Sequence, residues 1–136
     1  MISSGVIWSQ GVKEKMLEWL DATLIDGVGA TEGPMALQVS RRGQTGASAQ
    51  FIPLAETRLF TEDGREIPKG SDEQGLIAAG GPALPAGYYK DPEKTAKTFR
   101  VVDGQRVAFI GDWGRWNADG TLQLLGRGSV CINTGG

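Results

Sequence analysis

Three Asp-Gly pairs, Asp63-Gly64, Asp103-Gly104 and Asp119-Gly120, punctuate the second half of this 136-residue chain. They restrict its fold more than any other feature. An Asp-Gly pair readily takes the positive φ values of a tight hairpin turn, so each marks a place where an extended chain can double back. Strand-like residues flank all three: Arg58-Leu59-Phe60 before the first, Phe99 to Val102 before the second, and Thr121 to Leu125 after the third. From Arg41 onward, short apolar runs alternate with turn signals, the texture of β structure. At least two hairpins are predicted, with a further strand over Gly75 to Ala79.

Two helices are predicted. Ser9 is placed to N-cap a helix from Gln10 to about Leu20. Its apolar residues Val12, Met16, Trp19 and Leu20 fall on one stripe, which predicts the face packed on the core. Asp91 as N-cap, Pro92 at the first position and Glu93 in the first turn predict a second helix ending near Thr98. Between the first helix and the β region, Thr23-Leu24-Ile25-Asp26 reads as a short buried strand. It runs into a glycine-rich turn, Gly27 to Gly33, and a strand followed by a glycine turn is a common ligand position in α/β proteins.

Composition removes whole classes of function. Net charge is −2 and no block of like charge occurs, so nothing points to a nucleic-acid or membrane surface. No stretch approaches the roughly 20 apolar residues of a membrane-spanning helix. The chain has one cysteine, Cys131, and no histidine. That excludes a disulfide within the chain, Ser-His-Asp and Cys-His catalysis, and zinc sites with His ligands. A reducing, cytoplasmic setting is expected. Cys131 and the four tryptophans read as core residues.

Three constellations can carry chemistry. Gly27-x-Gly29-x-x-x-Gly33 matches neither the dinucleotide pattern nor a phosphate loop. Its backbone N–H groups can still cradle a phosphate, Thr31 adds a hydroxyl, and Glu32 offers a hard oxygen suited to Mg²⁺. It can equally be a structural turn with a solvated Glu. In Ile110-Gly111-Asp112-Trp113-Gly114-Arg115, Asp112 is placed near a strand end. There it either accepts hydrogen bonds from the two hydroxyls of a ribose or shapes a turn. In Gly126-Arg127-Gly128-Ser129, a glycine pair leaves the Arg127 fork free to reach a ligand, or simply to lie in solvent.

Taken in order, these pieces resemble the adenylate-forming superfamily of acyl-CoA synthetases, peptide-synthetase adenylation domains and luciferases. Gly29-Ala30-Thr31-Glu32 is similar to the family's Y-G-x-T-E motif. Gly87-Tyr88-Tyr89-Lys90-Asp91-Pro92-Glu93-Lys94-Thr95 resembles its G-Y-(x)-D-P-E-x-T segment, and Ile110-Gly111-Asp112 its T-G-D motif. The run from Gly126 to Gly136 resembles its hinge. Together with Ser3-Ser4-Gly5-Val6-Ile7-Trp8-Ser9, this wording is most similar to bacterial fatty-acyl-CoA synthetases. The resemblance covers nearly the whole chain.

What the resemblance implies is specific. A carboxylate attacks the α-phosphate of ATP to give acyl-AMP and pyrophosphate, and coenzyme A then displaces AMP. Thr31 would hold the α-phosphate and Glu32 the Mg²⁺. Asp112 and Arg127 would hold the ribose, Asp26 the adenine amino group, and Leu124 the face of the ring. Ser4 and Gly5 would line the adenine and acyl pocket, with Val28 and Gly29 beside them. Ser129 falls at the hinge about which the family's lid rotates. Val28 stands where the family usually has an aromatic residue, which implies weaker stacking. Ile110 replaces a usual Thr, and Ser129 a more common acidic residue.

The implied fold is α+β and β-rich: residues 1–40 as the tail of an α/β layer with the nucleotide-binding turn, 41–125 as a small distorted antiparallel β-barrel, and 126–136 as a hinge to a lid domain. The turn-like start and the Gly135-Gly136 end predict a cut internal segment. The family's phosphate loop and lid lysine do not occur in the sequence, so the chain alone is expected to be inactive. Apolar faces left uncovered would favour a dimer. The competing readings are a non-catalytic remnant that binds a nucleotide or a protein, and a peptide-synthetase adenylation domain.

Overall fold

The computed structural model describes residues 1–127. Ser129 and Cys131 therefore lie outside the described residues. Ten strands and two helices follow in the order β1 (Ile2–Ser4), α1 (Gln10–Trp19), β2 (Leu24–Ala30), β3 (Gly33–Ser40), β4 (Gln50–Pro53), β5 (Arg58–Phe60), β6 (Glu66–Ile67), β7 (Gln74–Ala79), α2 (Pro92–Thr98), β8 (Phe99–Val102), β9 (Gln105–Trp116) and β10 (Leu122–Arg127). The fold is α+β and β-rich. Its strands form one path, β1-β2-β3-β4-β10-β9-β7-β5-β6, with β8 paired to β9. The path is open, so the expected barrel is not closed. Only β1 and β2 run parallel; the other described pairs are antiparallel.

All three Asp-Gly pairs turn hairpins. Asp103 and Gly104 have φ of 51° and 75°, and Val102 pairs with Gln105 across them, the two-residue turn whose twist matches the flanking strands. Asp63-Gly64 sits inside a turn closed by Thr61 N–H donating to the Arg65 carbonyl at 2.9 Å. Asp119-Gly120 is closed in the same way by Asn117 and Thr121.

Strand β4 bends the sheet. Its Gln50 and Phe51 pair with β10, while its Ile52 and Pro53 pair with β3. This corner folds the N-terminal strands towards β9 and β10. Beneath it lies the main core of Met35, Phe51, Leu59, Ile67, Ile77, Trp116 and Leu122, all essentially without exposure. The Trp116 indole donates to the Ile67 carbonyl at 3.1 Å, so its polar edge is satisfied inside that core.

The structure corrects four local expectations. Gly27 to Ala30 is strand, not turn, because Gly27 pairs with Ser4 on one side and Leu37 on the other. The turn itself is only Thr31 and Glu32. Helix α1 is capped by the Ser9 hydroxyl as expected, but its predicted stripe faces outward: Trp19 is 82% exposed, and Val12 and Leu20 are exposed too. Lys13 and Leu17 form the buried face. Asp112 lies inside β9 rather than at its end. Of the tryptophans, Trp116 is core and Trp19 is not.

Candidate functional site

Four strands and one loop build a cavity of about 300 Å³ at the sheet corner. Strand β2 contributes Asp26, Val28 and Gly29. Strand β9 contributes Asp112, strand β10 Leu124 and Arg127, and strand β4 Phe51. The loop after β1 adds Gly5, Val6 and Ile7. Seven of the nine residues expected to bind nucleotide meet here: Gly5, Asp26, Val28, Gly29, Asp112, Leu124 and Arg127. The other two, Ser4 and Thr31, line an adjoining depression that shares Gly27, Val28 and Gly29 with the first.

A break in pairing aims Asp112 at the cavity. Strand β7 pairs Ala78 with Phe109 and Leu76 with Trp113, so Ile110 to Asp112 bulge out of register. Gly111 makes the bulge with a φ of 85°, a conformation that glycine adopts without steric cost. On its other edge, Asp112 pairs with Arg127. Arg127 Nε donates to Asp112 Oδ1 at 3.2 Å, and Nη2 donates to the Ile110 carbonyl at 3.3 Å. Burial pushes the Asp112 carboxyl above the usual carboxylate range; Arg127 pulls it down, and the Glu32 charge pushes it up.

Asp26 is 3% exposed. Its Oδ2 lies 3.0 Å from the ammonium of Lys13, while its Oδ1 is buried and has no partner among the described residues. A buried oxygen without a donor is uncommon, and here it belongs to a residue that lines the cavity.

Glu32, in the β2–β3 turn, accepts a hydrogen bond from the Tyr88 hydroxyl. Tyr88 is itself held: its N–H donates to Thr95 Oγ1 at 2.9 Å, and its ring lies 5.7 Å from that of Phe99. Arg106 fixes the same loop by donating to the carbonyls of Pro85 and Ala86 at 2.7 and 2.8 Å. The Glu32 carboxylate holds the Tyr88 phenol above its ordinary range.

Among the described residues, no three of His, Cys, Asp and Glu gather as a metal cluster. A protein cage for a cation is thus missing there, but Mg²⁺ does not need one. It is commonly held by one or two carboxylates together with substrate phosphates, and the half-buried Glu32 fits that pattern.

Three residues at the site carried no role in the sequence. Phe51 walls the cavity, Lys13 holds Asp26, and Tyr88 holds Glu32. Only Lys13 gave a local signal, a charge one turn before Leu17 on the same helix face. Tyr88 and Glu32 are 56 residues apart, and no spacing rule joins them. No described helix is long and apolar enough to cross a membrane.

Comparison with known proteins extends this picture. No family model matches the chain. It is 40% identical over 139 residues to a medium/long-chain-fatty-acid–CoA/3-oxocholest-4-en-26-oate–CoA ligase of Mycobacterium tuberculosis, covering 100% of this chain and 25% of that protein. It is 42% identical to the medium-chain acyl-CoA ligase Mig of Mycobacterium avium, over 98% of this chain and 24% of that one. The chain thus spans about a quarter of the length of these relatives. Among solved structures, PA1221, a peptide-synthetase protein with adenylation and carrier domains, superposes with a TM-score of 0.79 at 28% identity, over 93% of this chain and 28% of that one. The Vibrio cholerae adenylation domain AlmE, in complex with glycyl-adenosine-5′-phosphate, shares the fold with a TM-score of 0.76 at 21% identity, over 93% and 25%. By sequence and fold along its length, the chain belongs to the adenylate-forming, AMP-binding superfamily that contains the acyl-CoA ligases and the adenylation domains.

Proposed function

We propose that this chain supplies the adenosine-binding wall of an ATP-dependent acyl-CoA ligase, which activates a carboxylic (fatty) acid as acyl-AMP and passes the acyl group to coenzyme A. The convergence of Asp26, Val28, Asp112, Leu124 and Arg127 on one cavity carries this reading. Asp112 is an acceptor for ribose hydroxyls, and such bonds to a charged group contribute roughly 1.5–3 kcal/mol each. Arg127 orients that carboxylate and offers its remaining N–H groups to the ligand. Leu124 and Val28 contact the faces of the base, and Asp26 accepts from its amino group. Gly5 leaves room for the base at the cavity rim, and Ser4 adds a hydroxyl beside it. Domain limits at residues 40 and 125, with Ser129 as a hinge, belong to the same proposal, as does a cytoplasmic setting.

In the overall reaction, an oxygen of the acid's carboxylate bonds to the α-phosphorus of ATP and pyrophosphate leaves. The thiol of coenzyme A then bonds to the acyl carbon, its proton is lost to solvent, and AMP leaves. Thr31 would donate to the α-phosphate. Glu32 would hold Mg²⁺, which supplies neutralising charge to the phosphates. Phosphoryl transfer needs positive charge at the transition state, and among the described cavity residues only Arg127 carries it. The 136-residue chain is therefore proposed to bind without turnover. Calorimetry with AMP tests the reading: weak saturable binding, abolished by Asp112→Ala, supports it. Unchanged binding in that variant, or acyl-CoA formation by the pure chain, contradicts the corresponding part.

A further inference from the structure

Glu32 does not offer both of its oxygens. Its Oε1 accepts from the Tyr88 hydroxyl, and among the described residues no hydrogen bond reaches Oε2. A cation at this carboxylate therefore meets one free oxygen for as long as the Tyr88 bond stands.

Both ends of that bond are anchored. Glu32 sits in a two-residue turn whose flanks, Ala30 and Gly33, pair across β2 and β3. A Cβ at Gly33 would lie 3.1 Å from Leu84 Cδ2, so the turn packs directly on the segment that leads to Tyr88. The Tyr88 N–H donates to Thr95 Oγ1 at 2.9 Å, and that hydroxyl donates to the Asp91 carbonyl at 2.7 Å. A Cβ at Gly87 would come within 2.5 Å of Thr95 Cγ2, so bare backbone closes on α2 beside the tyrosine. The Lys94 ammonium lies 4.2 Å from the centre of the Tyr88 ring. Phe99, against which that ring packs, carries the Arg106 guanidinium on its face at 4.4 Å. A side chain locked by packing and by hydrogen bonds behind it holds its geometry when a ligand arrives.

Cations respond differently to the number of oxygens on offer. Ca²⁺ takes about six to eight and readily grips both oxygens of one carboxylate, whereas Mg²⁺ is smaller, demands octahedral geometry and keeps several waters. Among the described residues, no cluster of three His, Cys, Asp or Glu supplies the ligands that Ca²⁺ would lack. We propose that Tyr88 is a positioning residue that sets which cation Glu32 accepts: by holding one carboxylate oxygen it leaves a single oxygen for the metal, which favours Mg²⁺ over Ca²⁺. This rests on the reading of Glu32 as the metal residue of a nucleotide site. Removing the phenol hydroxyl frees both oxygens for a bidentate grip, from which Ca²⁺ gains and Mg²⁺ does not.

The test measures ATP binding to the intact chain with Mg²⁺ or with Ca²⁺ by calorimetry, with AMP alone beside it and circular dichroism as a folding check. The unaltered chain should bind ATP roughly tenfold tighter with Mg²⁺ than with Ca²⁺. Tyr88→Phe keeps the ring and its packing. It should cut the Mg²⁺ advantage by about tenfold or more, with weaker binding in Mg²⁺, binding in Ca²⁺ that holds or strengthens, and AMP binding unchanged. Thr95→Val removes the hydroxyl that grips the Tyr88 N–H and should move the ratio the same way by a smaller factor. A merely structural tyrosine would weaken both cation complexes alike and leave their ratio unmoved in Tyr88→Phe. That result overturns the proposal, as does an unaltered chain that binds ATP equally with either cation. AMP binding by a chain whose ATP affinity ignores both metals would instead overturn Glu32 as the metal residue. Absence of AMP binding would overturn the nucleotide reading, and the inference falls with either.

Discussion

The hydroxyl of Tyr88 donates to the carboxylate of Glu32, joining the loop before α2 to the β2–β3 turn across 56 residues. This bond fixes the orientation of the carboxylate proposed to meet Mg²⁺. Groups that orient a metal ligand are commonly worth roughly 10-fold to 100-fold in metal affinity. Tyr88→Phe should therefore weaken Mg²⁺-dependent ATP binding by about that factor while leaving AMP binding intact. Calorimetric titrations with and without Mg²⁺ separate the two.

The same bond gives a pH signature. Glu32 raises the Tyr88 phenol above its ordinary range, so the folded state favours the protonated phenol. A raised group stabilises fully below its unfolded value, near 10 for tyrosine, and that contribution is lost as pH rises through the higher folded value. Ultraviolet titration of a Tyr89→Phe background, where Tyr88 is the one remaining tyrosine, should show the phenolate appearing late. Adding Glu32→Gln should bring it earlier; an unmoved titration would break the proposed contact.

Asp112 is shifted in the same direction, but in the carboxylate range. Burial raises its carboxyl, so folding favours the protonated form; the benefit is full below the unfolded value and lost as pH climbs through the folded one. At neutral pH the charge is a cost to the free chain. Asp112→Asn should keep or raise the melting temperature at pH 7, yet weaken AMP binding by about 10-fold to 100-fold. Thermal melts and binding curves on the same sample check both halves.

The core below the sheet corner sets the stability. Trp116 is fully buried and hydrogen-bonded, and Trp116→Ala should cost about 3–5 kcal/mol. Gly75→Ala would place a methyl 2.5 Å from the Phe60 carbonyl oxygen, and should cost about 1–3 kcal/mol. Denaturant midpoints measure both.

The β architecture was legible because its signals are local. Asp103-Gly104 dictates a turn from two residues, and Ser9 and Asp91 cap their helices within three or four. The family motifs named seven residues that the fold brings to one cavity. What could not be read is non-local. The apolar stripe of α1 misled because the buried face is instead Lys13 and Leu17, and the partner that lets Lys13 be buried, Asp26, lies on β2. Gly27 and Gly29 suggested a turn because glycine is turn-prone, but pairing with β1 and β3 holds that backbone extended. Asp112 suggested a strand end because it sits between glycines after an apolar run; the bulge that turns it inward depends on the register of β7.

The most direct test is a proton–nitrogen correlation spectrum of the chain titrated with millimolar AMP. Saturable shifts are expected at Asp26, Val28, Asp112 and Leu124, with little change at Glu56 and Gln105 on a separate surface depression. A spectrum that AMP leaves unchanged, or one whose shifts gather around Glu56 and Gln105, would contradict the assignment of the cavity as an adenosine site.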